Sequence, residues 1–203
     1  MSILLIRHGE TASNAARIVQ TADTPLSPHG LAQAERLAQR LAAVGIAGIL
    51  CSDHPRAVMT AEPVQARTGV PLTLDPGLRE RNYGALRGRP YSEVGDIFAP
   101  DLEPPEGETW AVFHARVARV WPTVVAQAAA TPGNLAVITH GLVLYSLGLH
   151  HLHLPPGADV PLRWGNTALT VVEAVPPFAV RLLNCTAHLD DGTADDRGGV
   201  SGL

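Results

Sequence analysis

Three apolar runs in this chain each end on side chains able to do chemistry. Ile3 to Ile6 leads into Arg7-His8-Gly9, Ile46 to Leu50 precedes Ser52-Asp53-His54-Pro55-Arg56, and Leu135 to Ile138 runs into Thr139-His140-Gly141. A neutral imidazole carries a nucleophilic lone pair near physiological pH, and a guanidinium presents a planar fork of donors that matches phosphate oxygens. Two imidazoles and two guanidiniums around one point describe a receptacle for a doubly charged anion, most simply a phosphoryl group. Whether they meet depends on the fold. Short apolar runs bounded by turn residues read as buried parallel strands, and ligands of open α/β sheets bind beyond the carboxyl ends of such strands.

The elements between these runs are well punctuated. Asn14 to Leu26 reads as a polar turn, after which Ser27 is a helix N-cap with Pro28 at the first helical position. Leu31, Ala34, Leu37, Ala38, Leu41 and Ala42 make the apolar stripe of that helix, and Gly45 closes it. Pro55 opens a second helix that Gly69 ends, so Arg56 falls in its first turn, where unpaired N–H groups and the dipole favour an anion. Val70 to Leu74 is a weak strand. Asp75 to Gly107, rich in Gly and Pro and carrying Glu80, reads as an irregular rim. From Thr109, apolar residues from Trp110 to Val124 recur at helical spacing, with a kink expected at Pro122 and an end at Gly133-Asn134. Leu142 to Leu149 is another helix, and Ala168 to Val175 and Phe178 to Leu183 are closing strands around Pro176-Pro177. The acidic, then Gly-rich, segment 190–203 reads as a disordered tail behind one domain over 1–189.

Composition narrows the partners. The 203 residues suit one domain, and a net charge of −4 argues against nucleic acid, which needs a net basic face. Cys51 and Cys185 are too few for a disulfide framework or a zinc ribbon, and reduced thiols fit a cytoplasmic location. Cys51, at a strand end, reads either as a reactive thiolate or as a packed small hydrophobe. The apolar stretch before Arg7 is too short for a signal peptide or a membrane span. His150, His151 and His153 read as imidazoles at a helix C-terminus rather than as metal ligands.

Arg7-His8-Gly9-Glu10-Thr11 with Asn14, Asp23-Thr24-Pro25-Leu26-Ser27 with Gly30 and Gln33, Ser52-Asp53 with Arg56, Ala57, Thr60 and Ala61, Leu78-Arg79-Glu80 with Gly84 and Gly88, and Thr139-His140-Gly141 occur in that order. Together they resemble the histidine phosphatase superfamily, also called phosphoglycerate mutase-like, over nearly the whole chain to Leu189. The resemblance implies an α/β fold, a three-layer α/β/α sandwich with a mostly parallel central sheet. It implies that His8 accepts the phosphoryl group, that Arg7, Arg56 and His140 complete a phosphate pocket, and that Glu80 donates a proton. Asn14 and Gln20 would contact a phosphate oxygen or the rest of the substrate. Glu80-Arg81-Asn82-Tyr83-Gly84 resembles the mutase branch, in which this Arg and Tyr hold a substrate carboxylate. Thr21 departs from the Gly that many relatives carry after Gln20.

The expected activity is a metal-independent phosphomonoester hydrolase of the histidine acid type. It would need no cofactor, act on a small phosphorylated metabolite through a phosphohistidine, and be a monomer or homodimer. Gly88 to Gly107 holds Arg89 as its one cation, too little to close over a ligand and exclude water, which favours hydrolysis over transfer, with Arg81 and Tyr83 tuning specificity. The alternatives are a cofactor-dependent phosphoglycerate mutase, a non-catalytic phosphate-recognition module and a metal-dependent hydrolase. Residue by residue there are plainer readings. His8 alone could be a satisfied core histidine, Arg56 a surface helix residue, His140 a helix cap, and Glu80 an ion-pair partner for Arg79, Arg81 or Arg87. His54 could touch substrate or merely start a helix.

Overall fold

The computed structural model describes residues 1–189; the tail read at 190–203 lies outside the described residues. Six strands form one sheet: β1 (Ser2–Arg7), β2 (Ile46–Cys51), β3 (Leu72–Leu74), β4 (Asn134–Thr139), β5 (Leu169–Glu173) and β6 (Val180–Cys185). Their order is β3-β2-β4-β1-β5-β6. The β3, β2, β4 and β1 strands run parallel, and β5 and β6 close the sheet antiparallel.

The apolar runs are buried on both faces because helices cover both. Leu4, Ile6, Ile49, Cys51, Ala136 and Ile138 point into a core with α2 (Pro28–Ala43) and α3 (Pro55–Thr68). Their neighbours Ile3, Leu5, Leu50, Leu135 and Val137 point into a second core with α5 (Trp110–Ala130) and α6 (Gly141–His150). Strict alternation of side chains along each strand thus produces the three layers, and explains why the strands read as continuous apolar runs.

One reading holds and one needs correction. As expected, Pro122 does not end the helix, and α5 runs on through it. The missing N–H costs only the bond to the carbonyl of Ala118, on the exposed side of the helix, while Phe113, Val117, Trp121 and Val124 keep one buried face continuous. The polar turn after β1 contains a short helix, α1 (Ala12–Ala15), closed by a reciprocal cap: Thr11 Oγ1 accepts from Asn14 N–H and Asn14 Oδ1 accepts from Thr11 N–H. The rim from Asp75 to Gly107 carries two 3₁₀ turns and the short helix α4 (Tyr91–Val94).

The start of α2 is pressed against the loop that follows β1. Ser27 caps Gly30 N–H and its hydroxyl donates to Glu10 Oε1 at 2.7 Å, while Gln33 Oε1 accepts from Glu10 N–H. At this crossing Gly30 has no room for a side chain: a Cβ would lie 2.0 Å from the carbonyl oxygen of Glu10. Gly30→Ala must therefore push α2 away from the His8 loop. It is expected to lower stability by about 1–3 kcal/mol, the usual cost of overpacking, read as a fall in urea midpoint with unchanged slope. An unchanged midpoint would mean that the two backbones are not in contact.

Candidate active site

Parallel register brings the chemistry together. Arg7 pairs with Thr139 and Cys51 with Ile138, so β1, β4 and β2, adjacent in the sheet, end at the same edge. The ladder continues one residue further, with His8 N–H donating to the Thr139 carbonyl and Ser52 N–H to the Ile138 carbonyl, both at 2.9 Å. The next side chains are then neighbours. The His8 and His140 rings lie 5.1 Å apart edge to face, and His54 lies 5.1 Å from His140 on its other side. A cavity opens beyond this edge, lined by His8, Arg7, Arg56 and Glu80 among others. His140 does not line it; this ring is entirely buried behind His8, and the Gly141 and Leu142 that follow it form part of the wall.

Hydrogen bonds fix which nitrogen of His8 is reactive. Nδ1 lies 2.6 Å from the Gly9 carbonyl oxygen, which can only accept, so Nδ1 carries the proton and Nε2 keeps its lone pair. Burial first, then the charges of Arg56 and Arg7, hold the His8 pKa well below 6.5, so the ring is neutral at physiological pH. His140 is lowered well below 6.5 by the same burial and by Arg56 and His8. Ser52 Oγ accepts from His54 N–H and is hydrogen-bonded to His140 Nε2 at 2.8 Å, while His140 Nδ1 is buried with no hydrogen-bond partner.

Both guanidiniums donate to backbone carbonyls, with the Glu80 carboxyl as a neighbouring charge. Arg7 Nη1 donates to the Trp164 carbonyl at 2.5 Å, and Arg56 Nη1 donates to the Thr21 carbonyl at 3.1 Å. Arg56 Nη2 also lies 3.1 Å from His54 Nδ1. Burial lowers the Arg56 pKa to about 10, which still leaves it charged. The departure at Thr21 thus keeps its loop in the site, through a main-chain carbonyl any residue would supply. Thr60 ties α3 to the nucleophile's loop: its hydroxyl accepts from Gly9 N–H and donates to the Arg56 carbonyl.

The Glu80 carboxyl has no hydrogen bond to the guanidiniums of Arg79, Arg81 or Arg87. Its two oxygens accept main-chain N–H groups from Arg81 and from Leu142, in the first turn of α6, while Arg79 pairs with Asp53. Loss of solvent raises its pKa above the ordinary 4.5, opposed by those two N–H groups and by Arg56 and Arg7. A carboxyl on the cavity wall that holds a proton above the usual range suits a proton donor.

Asn14 and Gln20 line the cavity, each with its side-chain oxygen engaged by Thr11, which leaves both amide NH₂ groups as donors. Arg81 and Tyr83 line it as well, but the Arg81 guanidinium is buried and committed. It donates to the carbonyls of Glu108, Leu102 and, at 3.5 Å, Ile97, and it lies over the Trp110 ring. Its first effect is to hold the rim together. The thiol of Cys51 is buried with its pKa pushed far up, so it is packed rather than reactive. His150 and His151 close α6 and pack on His114 and Trp121.

Sequence reasoning did not single out the supports. Ser52 holds the His140 ring, Trp164 offers a carbonyl, and Thr167 grips the His8 backbone. Thr167 N–H is shared between the Arg7 and His8 carbonyls, and Asn166 Nδ2 donates to the latter. Thr167 adopts the left-handed φ of 54°, rare for a β-branched residue, and its hydroxyl bonds His188, which in turn meets Arg40. A β-branched residue in a strained backbone was the one available signal, and it is invisible before coordinates.

An α/β sheet ending in paired imidazoles and buried arginines defines a phosphoryl-handling class, and the chain belongs to the histidine phosphatase superfamily (branch 1), whose family model matches residues 3–180. The fold is phosphoglycerate mutase-like. A relative from Yersinia enterocolitica, described as a probable phosphoglycerate mutase GpmB, is 31% identical over 217 aligned positions, covering 97% of this chain and 98% of that one. A solved structure of a putative α-ribazole-5′-P phosphatase from Escherichia coli superposes with a TM-score of 0.79 at 27% identity, over 92% of this chain and 97% of that one. A mycobacterial glucosyl-3-phosphoglycerate phosphatase in complex with VO₃ gives a TM-score of 0.71 at 27% identity, over 85% and 90%. Among the described residues no helix is long and apolar enough to cross a membrane.

Burying neutral imidazoles makes folding pH-sensitive. The His54 pKa is lowered from 6.5 to about 4, and those of His8 and His140 are lowered too, so the unfolded chain takes up protons first as pH falls. Stability is therefore full above about pH 6.5 and lost progressively toward pH 4. Glu80, raised from 4.5, works in the opposite sense with one group against three. The urea midpoint is expected to drop steadily from pH 7 to pH 4.5, and less steeply in His54→Gln; equal slopes would show that His54 is not buried as a neutral ring.

Proposed function

We propose that the protein hydrolyses phosphomonoesters of small metabolites through a phosphohistidine on His8. The observation that carries this reading is the bond from His8 Nδ1–H to the Gly9 carbonyl, which leaves Nε2 unprotonated on a ring that lines the cavity. In the first step Nε2 attacks phosphorus, the bond to the ester oxygen breaks, and the departing alkoxide takes the proton of Glu80. In the second, Glu80, now a carboxylate, takes a proton from water as the oxygen attacks phosphorus; the P–N bond breaks and His8 returns neutral. Arg7 and Arg56 face the charge that spreads over the phosphoryl oxygens, with the donor groups of Asn14 and Gln20 nearby and His140 packed against the His8 ring. Two fixed guanidiniums supply what a divalent cation would otherwise supply, so the reaction needs no metal ion. A cytoplasmic location goes with a metabolite substrate.

Hydrolysis is favoured over transfer to a glycerate because the Arg81 guanidinium is engaged with three carbonyls of the rim instead of standing ready for a carboxylate. A pure recognition module would need the arginines but neither the oriented lone pair of His8 nor a proton-holding Glu80.

Brief incubation with ³²P-labelled phosphomonoesters is expected to leave acid-labile, alkali-stable label on the protein, absent from His8→Ala and unaffected by a chelator. Label retained in that variant would move the nucleophile elsewhere, and label passed to glycerate faster than to water would make the protein a mutase. Glu80→Gln should slow turnover of an alkyl phosphate by about 10²–10⁴-fold but affect 4-nitrophenyl phosphate, whose leaving group needs no proton, far less. Equal losses on both substrates would remove Glu80 as the proton donor.

A further inference from the structure

We infer that the part of the cavity beyond the phosphate takes an apolar alcohol, so that the preferred substrates are phosphomonoesters with a hydrocarbon body rather than phosphorylated sugar acids. This rests on the hydrolase reading of the same cavity. At one end His8, Arg7 and Arg56 gather positive charge; the remaining wall includes Val19, Ile97, Phe98, Leu142 and Leu162. Val19, Ile97 and Leu142 are almost entirely buried, so they form a fixed apolar surface. Leu162 is 53% exposed at the cavity, an apolar side chain left in water beside a polar site. Phe98 is braced by Trp110, 6.3 Å away and stacked, and by Tyr145, edge to face at 5.6 Å, so its ring is held in place before any ligand arrives.

The polar groups on this wall do not offset that surface. Arg81 is committed to carbonyls, and Tyr83 is buried, with its hydroxyl pKa raised by desolvation. Arg87 is the remaining cation of the lining beyond Arg7, Arg56 and Arg81, and it is exposed. Water screens a guanidinium there, so its attraction for a substrate carboxylate is small. A carboxylate or polyol set against Val19, Ile97, Phe98 and Leu162 would lose hydration, with the amide NH₂ groups of Asn14 and Gln20 among its few partners, whereas each methylene buried there gains affinity of up to about fourfold.

Alkylphosphonates test this without turnover, because their P–C bond is not cleaved and the head group keeps its charge along the series. Titration calorimetry with methyl- to hexylphosphonate is expected to show Kd falling with each methylene, by about thirtyfold or more in total. 3-Phosphonopropionate should bind more weakly than propylphosphonate. Leu162→Ser and Phe98→Ala should each shrink the ratio of methyl to hexyl Kd. A series flat within twofold, or tighter binding of 3-phosphonopropionate, would overturn the inference, as would a ratio that neither substitution changes. These outcomes are independent of the phosphohistidine: label missing from His8 with the chain-length trend intact sinks the reaction mechanism alone, and a flat trend with His8 labelled sinks the substrate class alone.

Discussion

Two guanidiniums and three imidazoles crowded beyond one sheet edge cannot all be charged. Arginine does not give up its proton, so the conflict is resolved on the imidazoles: burial and the fields of Arg7 and Arg56 keep His8, His140 and His54 neutral. That single electrostatic constraint leaves His8 with a bare nitrogen. Burial and the same arginines that hold a dianion in the proposed reaction keep its ring neutral, and the Gly9 carbonyl then selects which nitrogen is bare. Glu80 completes the balance in the opposite sense, its carboxyl drawn toward the neutral form by lost solvent and toward the charged form by Arg56 and Arg7.

Holding such a group in place requires the backbone around it to be immobile, and the fold supplies clamps from every side. The Thr139 carbonyl receives His8 N–H, Thr60 receives Gly9 N–H, and Thr167 and Asn166 bind the His8 carbonyl. These clamps come from β4, α3 and the segment before β5, so the position of one imidazole is set by elements far apart in the chain. The contact of Gly30 with Glu10 adds α2 to the set.

Strand ends and helix starts were legible because they follow from periodicity and from Ser27, Pro28 and Pro55, whose backbone preferences are local. The convergence of Arg7, His8, Arg56 and His140 was legible because parallel strands must end together. The short helix α1 inside the polar turn after β1 was not, since it rests on the reciprocal cap between Thr11 and Asn14 rather than on any apolar periodicity. The engagement of Arg81 with carbonyls of the rim was hidden as well: a motif names a residue type, whereas the partners of its donors are settled by a loop whose path no local rule dictates. The supports Ser52, Trp164 and Thr167 act through a hydroxyl, a carbonyl and a backbone angle, features that carry no mark in a sequence.

The account depends most directly on the protonation of one ring, which ¹⁵N NMR of histidine-labelled protein reads without any substrate. The His8 signals, assigned by comparison with His8→Ala, are expected to show a protonated Nδ1 and a bare Nε2 at pH 7, unchanged on acidification to pH 5.5. A proton on Nε2, or a ring that titrates near pH 6.5 like an exposed histidine, would contradict it.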